Sequence, residues 1–414
     1  MLRQLRGLRV WGPLQARPFR RLWAGAGLSM LADQAFLVAL TWLVLRVAGS
    51  GAELGAVLAV ASIPGTILTP AGGVLSDRYS PALIMIFASV GRVLLLVVLT
   101  GLILANAIQL WHVYAIAAGL SALDALYYPA SMAILPALVD RERLGAANAI
   151  TQGAEQVSSI LGPALAGGLL AVVGLGASFG ATAVLFAIAT ALFVAISRAS
   201  KPGGSVADEE TDGAQSRALG SFVEGINYVW RDGVIRSLLM ILLGTNLAMM
   251  GPLYVGGAVL AESRLGGAGA FGVLVASAGV GALIGIMGAG SVSRFRRRGL
   301  IELGLTGLLG VIVGAIAFVP NLLTAVVLAT AIGATASFLG VITISWLQER
   351  AQPGMIGRVM SLAMFSAVAL DPISFALAGL LVQLDLTAMF LAAGTLLLLT
   401  AVAGAASRTM REVD

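Results

Sequence analysis

Five ionisable side chains stand inside stretches that are otherwise apolar: Asp33, Arg92, Asp124, Glu155 and Asp371. A charge at the centre of a lipid-buried helix costs roughly 2.5–3.5 kcal/mol on insertion scales, so each calls for a task or a partner. A carboxyl in such a place can load and release a proton or hold a cation. Asp33 reads as a proton-binding group, with a local hydrogen bond to Gln34 or Ser29 as the alternative. Arg92 and Asp124 fall at similar depth on consecutive stretches and can form a buried ion pair, as a register lock or as a proton-sensitive switch. Glu155 precedes Gly162-Pro163, where the missing proline N–H bends a helix. It reads as a second protonation or cation site, or as a polar pair with Gln152. Asp371 precedes Pro372 and reads as a proton or substrate group or as an acid bonded to its own turn.

These side chains need helices in a bilayer to hold them. Of 414 residues, 59% are apolar and 11% charged, with a mean hydropathy of +0.97, too little polar surface for a water-soluble body. A spanning helix takes roughly 20 apolar residues. Twelve such stretches are expected, over 18–46, 54–76, 82–106, 110–138, 144–172, 177–197, 236–260, 269–292, 300–319, 322–347, 356–383 and 387–406. None alternates with the period of a barrel strand, which makes the class an all-α membrane protein. Cysteine is absent, which removes disulfides, thiolate metal sites and thiol nucleophiles. No metal-ligand cluster or phosphate loop is seen, so no metal or cofactor is expected. Gly176-Ala-Ser-Phe-Gly and Gly267-Ala-Gly-Ala-Phe-Gly fit hydrolase and dinucleotide patterns, but neither follows a strand. No enzyme constellation is present.

With Met1 in the cytoplasm, all 25 Lys and Arg residues fall on cytoplasmic segments except Arg46, Arg92 and Arg264. That bias is the positive-inside rule, and it explains the net charge of +5 without nucleic acid. The expected organisation is a cytoplasmic arm over 1–17, a six-helix bundle over 18–198, a linker over 199–235, a second six-helix bundle over 236–406 and a tail over 407–414. The linker opens on a polar run and continues as an amphipathic helix with Leu219, Phe222, Val223, Ile226 and Val229 on one face. The halves repeat: Gly73-Val-Leu-Ser-Asp-Arg after the second stretch matches Gly290-Ser-Val-Ser-Arg-Phe after the eighth. Because the copies run in the same direction, a parallel duplication is expected, with the substrate path between halves near mid-membrane.

Gly73 to Arg78 resembles the G-x-L-A-D-R signature of the major facilitator superfamily, although Ser80-Pro81 replaces basic residues that usually follow. Gly162-Pro163-Ala-Leu-Ala-Gly167-Gly168 is similar to that superfamily's antiporter motif, with Ala166 in place of a glycine. Ser221 to Trp230 and Ile356 to Ser361 resemble the macrolide-efflux and siderophore-export branch. The resemblance implies the major facilitator fold, twelve helices in two pseudo-symmetric six-helix bundles. It also implies a cytoplasmic gate in which Asp77, with Gly73 and Arg78, meets the helix start at Gly357 and Arg358. Gln34, Tyr127, Tyr128, Asn246, Met249, Met250 and Tyr254 are candidates for lining a substrate cavity, with inter-helix packing as the alternative. His112, beside Trp111 and Tyr114, reads as an interfacial residue.

The expectation is a secondary transporter in the inner (plasma) membrane, with both termini cytoplasmic. It is expected to export amphiphilic or cationic organic compounds by alternating access, in exchange for protons. The alternatives are a dedicated exporter of a siderophore or lipid-like metabolite, or an importer. A non-transporting receptor or scaffold is the reading from a different class. The expected partners are a small-molecule substrate, protons and the lipid bilayer, and a monomer suffices.

Overall fold

The computed structural model describes residues 9–197, 224–291, 298–352 and 354–406. The chain divides into two compact units, one over 1–205 with 266–276 and the other over 206–265 with 277–414. Both are built from helices, and local sequence explains where each helix starts and stops.

In the first unit, α1 (Arg17–Ala48) starts on Pro18 and ends at Gly49, whose φ of 67° lets its N–H return to the Leu45 carbonyl. Ser50 then caps α2 (Gly51–Arg78) by accepting the Glu53 N–H at 3.2 Å. Pro81 opens α3 (Pro81–Leu104). Gln109 and His112 form a reciprocal cap at the start of α4 (Leu110–Leu138), with the His112 Nδ1 accepting the Gln109 N–H at 3.0 Å. His112 also stacks on Trp111, ring centroids 3.8 Å apart, and this is the structural work of the single histidine. Helices α5 (Leu144–Val172) and α6 (Gly174–Ser197) complete the set. Helix α2 packs on α4, α3 on α4 and α6, and α1 on α5 and α6. Phe19, Met85, Ala88, Ala130 and Phe193 lie at the core of this unit.

In the second unit, a helix over residues 224–231 precedes α7 (Gly233–Gly251). Ile226 and Val229 of that short helix pack onto Val234 and Ile235. Leu219, Phe222 and Val223, expected on the same face, lie outside the described residues. Asp232 caps α7 through the N–H groups of Val234 and Ile235, at 2.9 and 3.2 Å. It also accepts from Arg350 Nε at 2.8 Å. Burial opposes ionisation of Asp232, yet the Arg350 hydrogen bonds, the two backbone N–H groups and the Arg350 charge together hold its carboxyl below the usual range. Past Gly251 the helix continues to Leu265 through two π-helical turns, Pro252–Gly256 and Ala261–Leu265. There follow α8 (Ala268–Ser291), whose residues up to Ala276 belong to the first unit, α9 (Arg298–Ala315), α10 (Leu322–Arg350), α11 (Ile356–Val368), α12 (Asp371–Leu384) and α13 (Leu386–Ala406). Helix α9 packs on α10 and α13, and α7 on α11, α12 and α13. Gly281, Gly285 and Gly333 bring α8 and α10 to backbone contact, for a Cβ at Gly333 would lie 1.9 Å from the Ala278 carbonyl oxygen.

The stretch expected as a span over 356–383 runs from Ile356 to Leu384 as one membrane-length unit, broken within it into α11 and α12 by a turn at Ala369 and Leu370. Pro372 has no N–H for the Val368 carbonyl, and the ladder is interrupted there.

Among the described residues, eleven helical stretches are long and apolar enough to cross a membrane, with Gly233–Leu265 and Ile356–Leu384 each counting as one. Helix α4 is not among them, and the twelfth expected span rests on it. His112, Asp124, Tyr127, Tyr128, Pro129 and Pro136 lower its apolarity.

Candidate functional site

Four helices of the first unit converge on Arg92. This side chain leaves α3 with 1% of its surface exposed, the largest fully buried side chain among the described residues. Its Nη2 meets Asp124 of α4. Its Nη1 donates to Ser29 Oγ of α1 at 3.0 Å and stands 4.0 Å from Asp33 Oδ2, one turn further along α1. The guanidinium carbon lies 4.3 Å from the centroid of Tyr127 and 5.3 Å from that of Phe186, on α4 and α6. Desolvated cation–π contacts of this kind contribute about 2 kcal/mol. The two carboxylates are less enclosed, with side chains 39% and 48% exposed for Asp33 and Asp124.

Helix spacing explains the convergence. Ser29 and Asp33 are four residues apart and share a face of α1; Asp124 and Tyr127 are three apart and share a face of α4. Gly91 lets α3 approach α4 beside the ion pair, since a Cβ there would meet Leu123 at 2.8 Å. The antiporter-like motif lies alongside. A Cβ at Gly162 would stand 2.5 Å from the Cβ of Gln34, so the glycine seats α5 against α1 next to Asp33. Pro163 is buried in α5 without interrupting it. Gly167 meets Gly272 and Ala268 at the start of α8, whereas Gly168 faces open space.

The expected Arg92–Asp124 pair is therefore present, and the structure adds Asp33 to it through Ser29 and Arg92. Glu155 stays apart. It is half-buried, its Oε1 has no hydrogen-bond partner, and no described cation lies within ion-pair distance. Tyr128, 45% exposed, is its electrostatic neighbour. Tyr127 packs inward against Arg92 and Phe193.

In the second unit, Asn246, Met249, Met250 and Tyr254 are all half-buried on or just beyond α7. Asn246 Nδ2 is spent on the Leu242 carbonyl at 2.9 Å. Tyr254 stands edge-on to Phe375, with centroids 6.4 Å apart. Asp371 is the first residue of α12, half-buried, with Oδ1 unpartnered. Ser374, one turn on, was not singled out by sequence. Its hydroxyl accepts the Gly251 N–H at 2.8 Å and donates to the Leu247 carbonyl at 2.7 Å. Those are the two groups an α-helix pairs with each other, so a side chain of α12 is inserted into the ladder of α7. Gly251 is required, because a Cβ there would lie 2.2 Å from the Ser374 carbonyl oxygen. Pro252 leaves the Ala248 carbonyl without its usual donor, and the first π-helical turn begins there.

Sequence reasoning also missed Glu302, in α9 and 0% exposed. It follows the arginines at 294–298 closely enough to read as an interfacial charge. Of the expected gate, the side chains of Gly73, Asp77 and Arg78 lie outside the described residues. Gly357 is exposed at the start of α11. Arg358 Nη1 is bound to Glu224 Oε1 at 2.8 Å, and its stem packs on Gly225.

A family model, "Major Facilitator Superfamily", matches residues 22–370. The chain belongs to that superfamily. As a member it is an integral membrane protein and a transporter of small molecules, not an enzyme. The chain is 27% identical to "Multidrug efflux pump Tap" of Mycolicibacterium fortuitum, over 97% of each chain. It is 25% identical to "Macrolide efflux protein A" of Streptococcus pyogenes, over 96% of this chain and 97% of that protein. To "Enterobactin exporter EntS" of Escherichia coli O139:H28 it is 26% identical, over 74% of this chain and 71% of that protein. These relatives match the drug and siderophore exporter branch. Among solved structures, a POT family transporter in complex with 5-aminolevulinic acid shares the fold, with a TM-score of 0.73 at 12% identity over 94% and 95% of the two chains.

Proposed function

We propose that this superfamily member is an exporter that exchanges protons for amphiphilic or cationic organic compounds by alternating access. The observation that carries the reading is a charge imbalance. One guanidinium faces two carboxylates, so the Arg92 site holds one negative charge without a counterpart. Asp124 is committed to Arg92 directly, whereas Asp33 stands 4.0 Å away. Asp33 is then the acid free to take a proton, or to meet a cationic substrate once the proton leaves. Either occupant neutralises the same charge, which is the competition an exchanger needs. A ligand shifts the conformational balance only by its differential affinity for the two states, and a shared charge supplies that difference. Glu155 and Asp371, both half-buried without a cation, are secondary candidates.

The efflux pumps and exporter among its relatives support outward transport. The enterobactin exporter supports a second reading, a dedicated exporter of one siderophore. The proposal includes twelve spans with α4 as the twelfth, arranged as two six-helix bundles. Matching helix pairings in the two units support it: α1 with α5 beside α7 with α11 and α12, and α3 with α6 beside α9 with α13. It also places both termini in the cytoplasm of a cell inner membrane. Because the chain has no cysteine, single cysteines report sidedness cleanly: Ser263→Cys is expected to label from outside and Gln352→Cys only from inside.

The deciding experiment is substrate-induced proton movement in sealed vesicles carrying the purified protein, screened over lipophilic cations, macrolides and siderophores. The expected result is a proton signal in the parent that is lost in Asp33→Asn and retained in Glu155→Gln. Loss only in Glu155→Gln moves the coupling group to α5, and flux that persists without proton movement in any variant overturns the exchange. A response confined to siderophores selects the second reading.

A further inference from the structure

Glu302 is a carboxyl-bearing side chain with no exposed surface, and among the described residues no cation balances it. The described cations on its own helix and on the helices packed around it are all engaged elsewhere. Arg298, one turn earlier on α9, pairs with Glu349 of α10. Arg350 of α10 pairs with Asp232, Arg236 of α7 holds the Trp230 carbonyl and ring, and Arg358 of α11 pairs with Glu224. Helix α13, the main neighbour of α9, carries no ionisable side chain from Leu386 to Ala405; Asp385, just before it, caps its first turn through Thr387 and Ala388. A carboxylate so placed would lack both a counter-charge and water.

The hydrogen-bond inventory around it points the same way. One neighbour reaches its Oε1, the hydroxyl of Thr343 on α10. That hydroxyl also stands 2.9 Å from the Leu339 carbonyl, one turn back on its own helix. A hydroxyl has one proton, and a carbonyl cannot supply one. Thr41, Thr100, Thr190, Thr330 and Thr400 each give theirs to the carbonyl four residues back. With Thr343 doing the same, its lone pairs face the Glu302 oxygen, and two acceptors meet unless a proton lies between them. Among the described groups, the one able to bring that proton is Glu302 itself.

We infer that Glu302 is a resident proton site: a neutral carboxylic acid whose O–H donates to Thr343 Oγ1, while Thr343 donates to Leu339. This hydrogen-bond chain ties α9 to α10 and leaves Oε2, which has no partner, as an uncharged carbonyl. The site belongs to the second unit and is separate from the Arg92 cluster. Its proton is held as part of the structure and is not exchanged during transport.

The test is the infrared spectrum of the purified full-length protein in lipid at neutral pH, parent minus Glu302→Gln. The expected result is a carboxylic C=O band present in the parent and absent from the variant, while the variant, whose amide N–H can still donate to Thr343, folds and transports as the parent does. Thr343→Val is expected to keep the band and move it to higher frequency, since its acceptor is gone; this holds even if Glu302→Gln fails to fold. Loss of a carboxylate band in place of the carboxylic one, or a parent band indifferent to Thr343→Val, overturns the inference. Neither readout depends on proton exchange at Asp33, so the two ideas fail separately.

Discussion

In the first unit a fully buried cation, Arg92, is held by Asp124, Asp33 and Ser29 and by two aromatic faces. In the second, Glu302 is equally inaccessible and Asp371 half-buried, and among the described residues neither has a cation within ion-pair distance. The units also join corresponding helices differently. Gly162 lets α5 lie directly on α1, whereas Ser374 of α12 inserts a hydroxyl into α7. Helix pairing is thus repeated while the polar chemistry is not. Under the proposed exchange, both units need small-residue contacts to pack, but one unit alone needs to carry the exchangeable charge.

The comparison breaks first at Arg92. Arg92→Met leaves Asp33 and Asp124 facing each other without a cation, and a loss of about 3–5 kcal/mol is expected, as when one partner of a buried pair is removed. Thermal unfolding in detergent checks this, and adding Asp124→Asn is expected to recover part of the loss. If Arg92→Met unfolds like the parent, the cluster does not stabilise the unit. The helix contact comes next. Gly162→Val drives a Cβ into Gln34, so a destabilisation of about 1–3 kcal/mol with lost transport is expected, whereas Gly168→Val, with nothing within 4 Å of its Cβ, is expected to behave as the parent.

In the second unit, Ser374→Ala removes the bridge between Gly251 and Leu247, with an expected cost of about 1–2 kcal/mol. Faster hydrogen exchange confined to residues near Gly251 reads it out, and unchanged exchange there means that α7 closes its own ladder. The smallest effect is at Asp232, where Asp232→Ala is expected to cost about 1 kcal/mol as a lost helix cap. Because the folded-state carboxyl is held below its unfolded value, its contribution is full above the unfolded pKa of about 3.9 and fades as pH falls through the folded one. The gap between parent and variant should therefore close in acid, and a gap independent of pH argues against the Arg350 pairing.

Much of this architecture is legible along the chain. Apolar runs of spanning length, arginines near their ends and proline or glycine at their boundaries are local properties, and the helices follow them. Arg92 with Asp124 was also legible, since two opposite charges at equal depth on consecutive helices have few other partners. Asp33 was legible as a costly acid but not as a member of that pair, because Ser29, Asp33 and Arg92 meet only when α1 and α3 both pack on α4 and α6.

Glu302 and Ser374 were illegible for related reasons. A glutamate four residues past an arginine reads as interfacial until burial is known, and a serine reads as filler until its hydroxyl lies between Leu247 and Gly251. The break at Leu370 had a visible cause in Pro372, yet other prolines, Pro129, Pro136 and Pro163, sit within unbroken helices. Composition and spacing alone determined that this chain enters a bilayer as helices, because lipid leaves no other way to satisfy a backbone. Which acids share a cation, which stands alone and which helix opens was decided by tertiary packing, since those outcomes depend on contacts between residues distant in the chain.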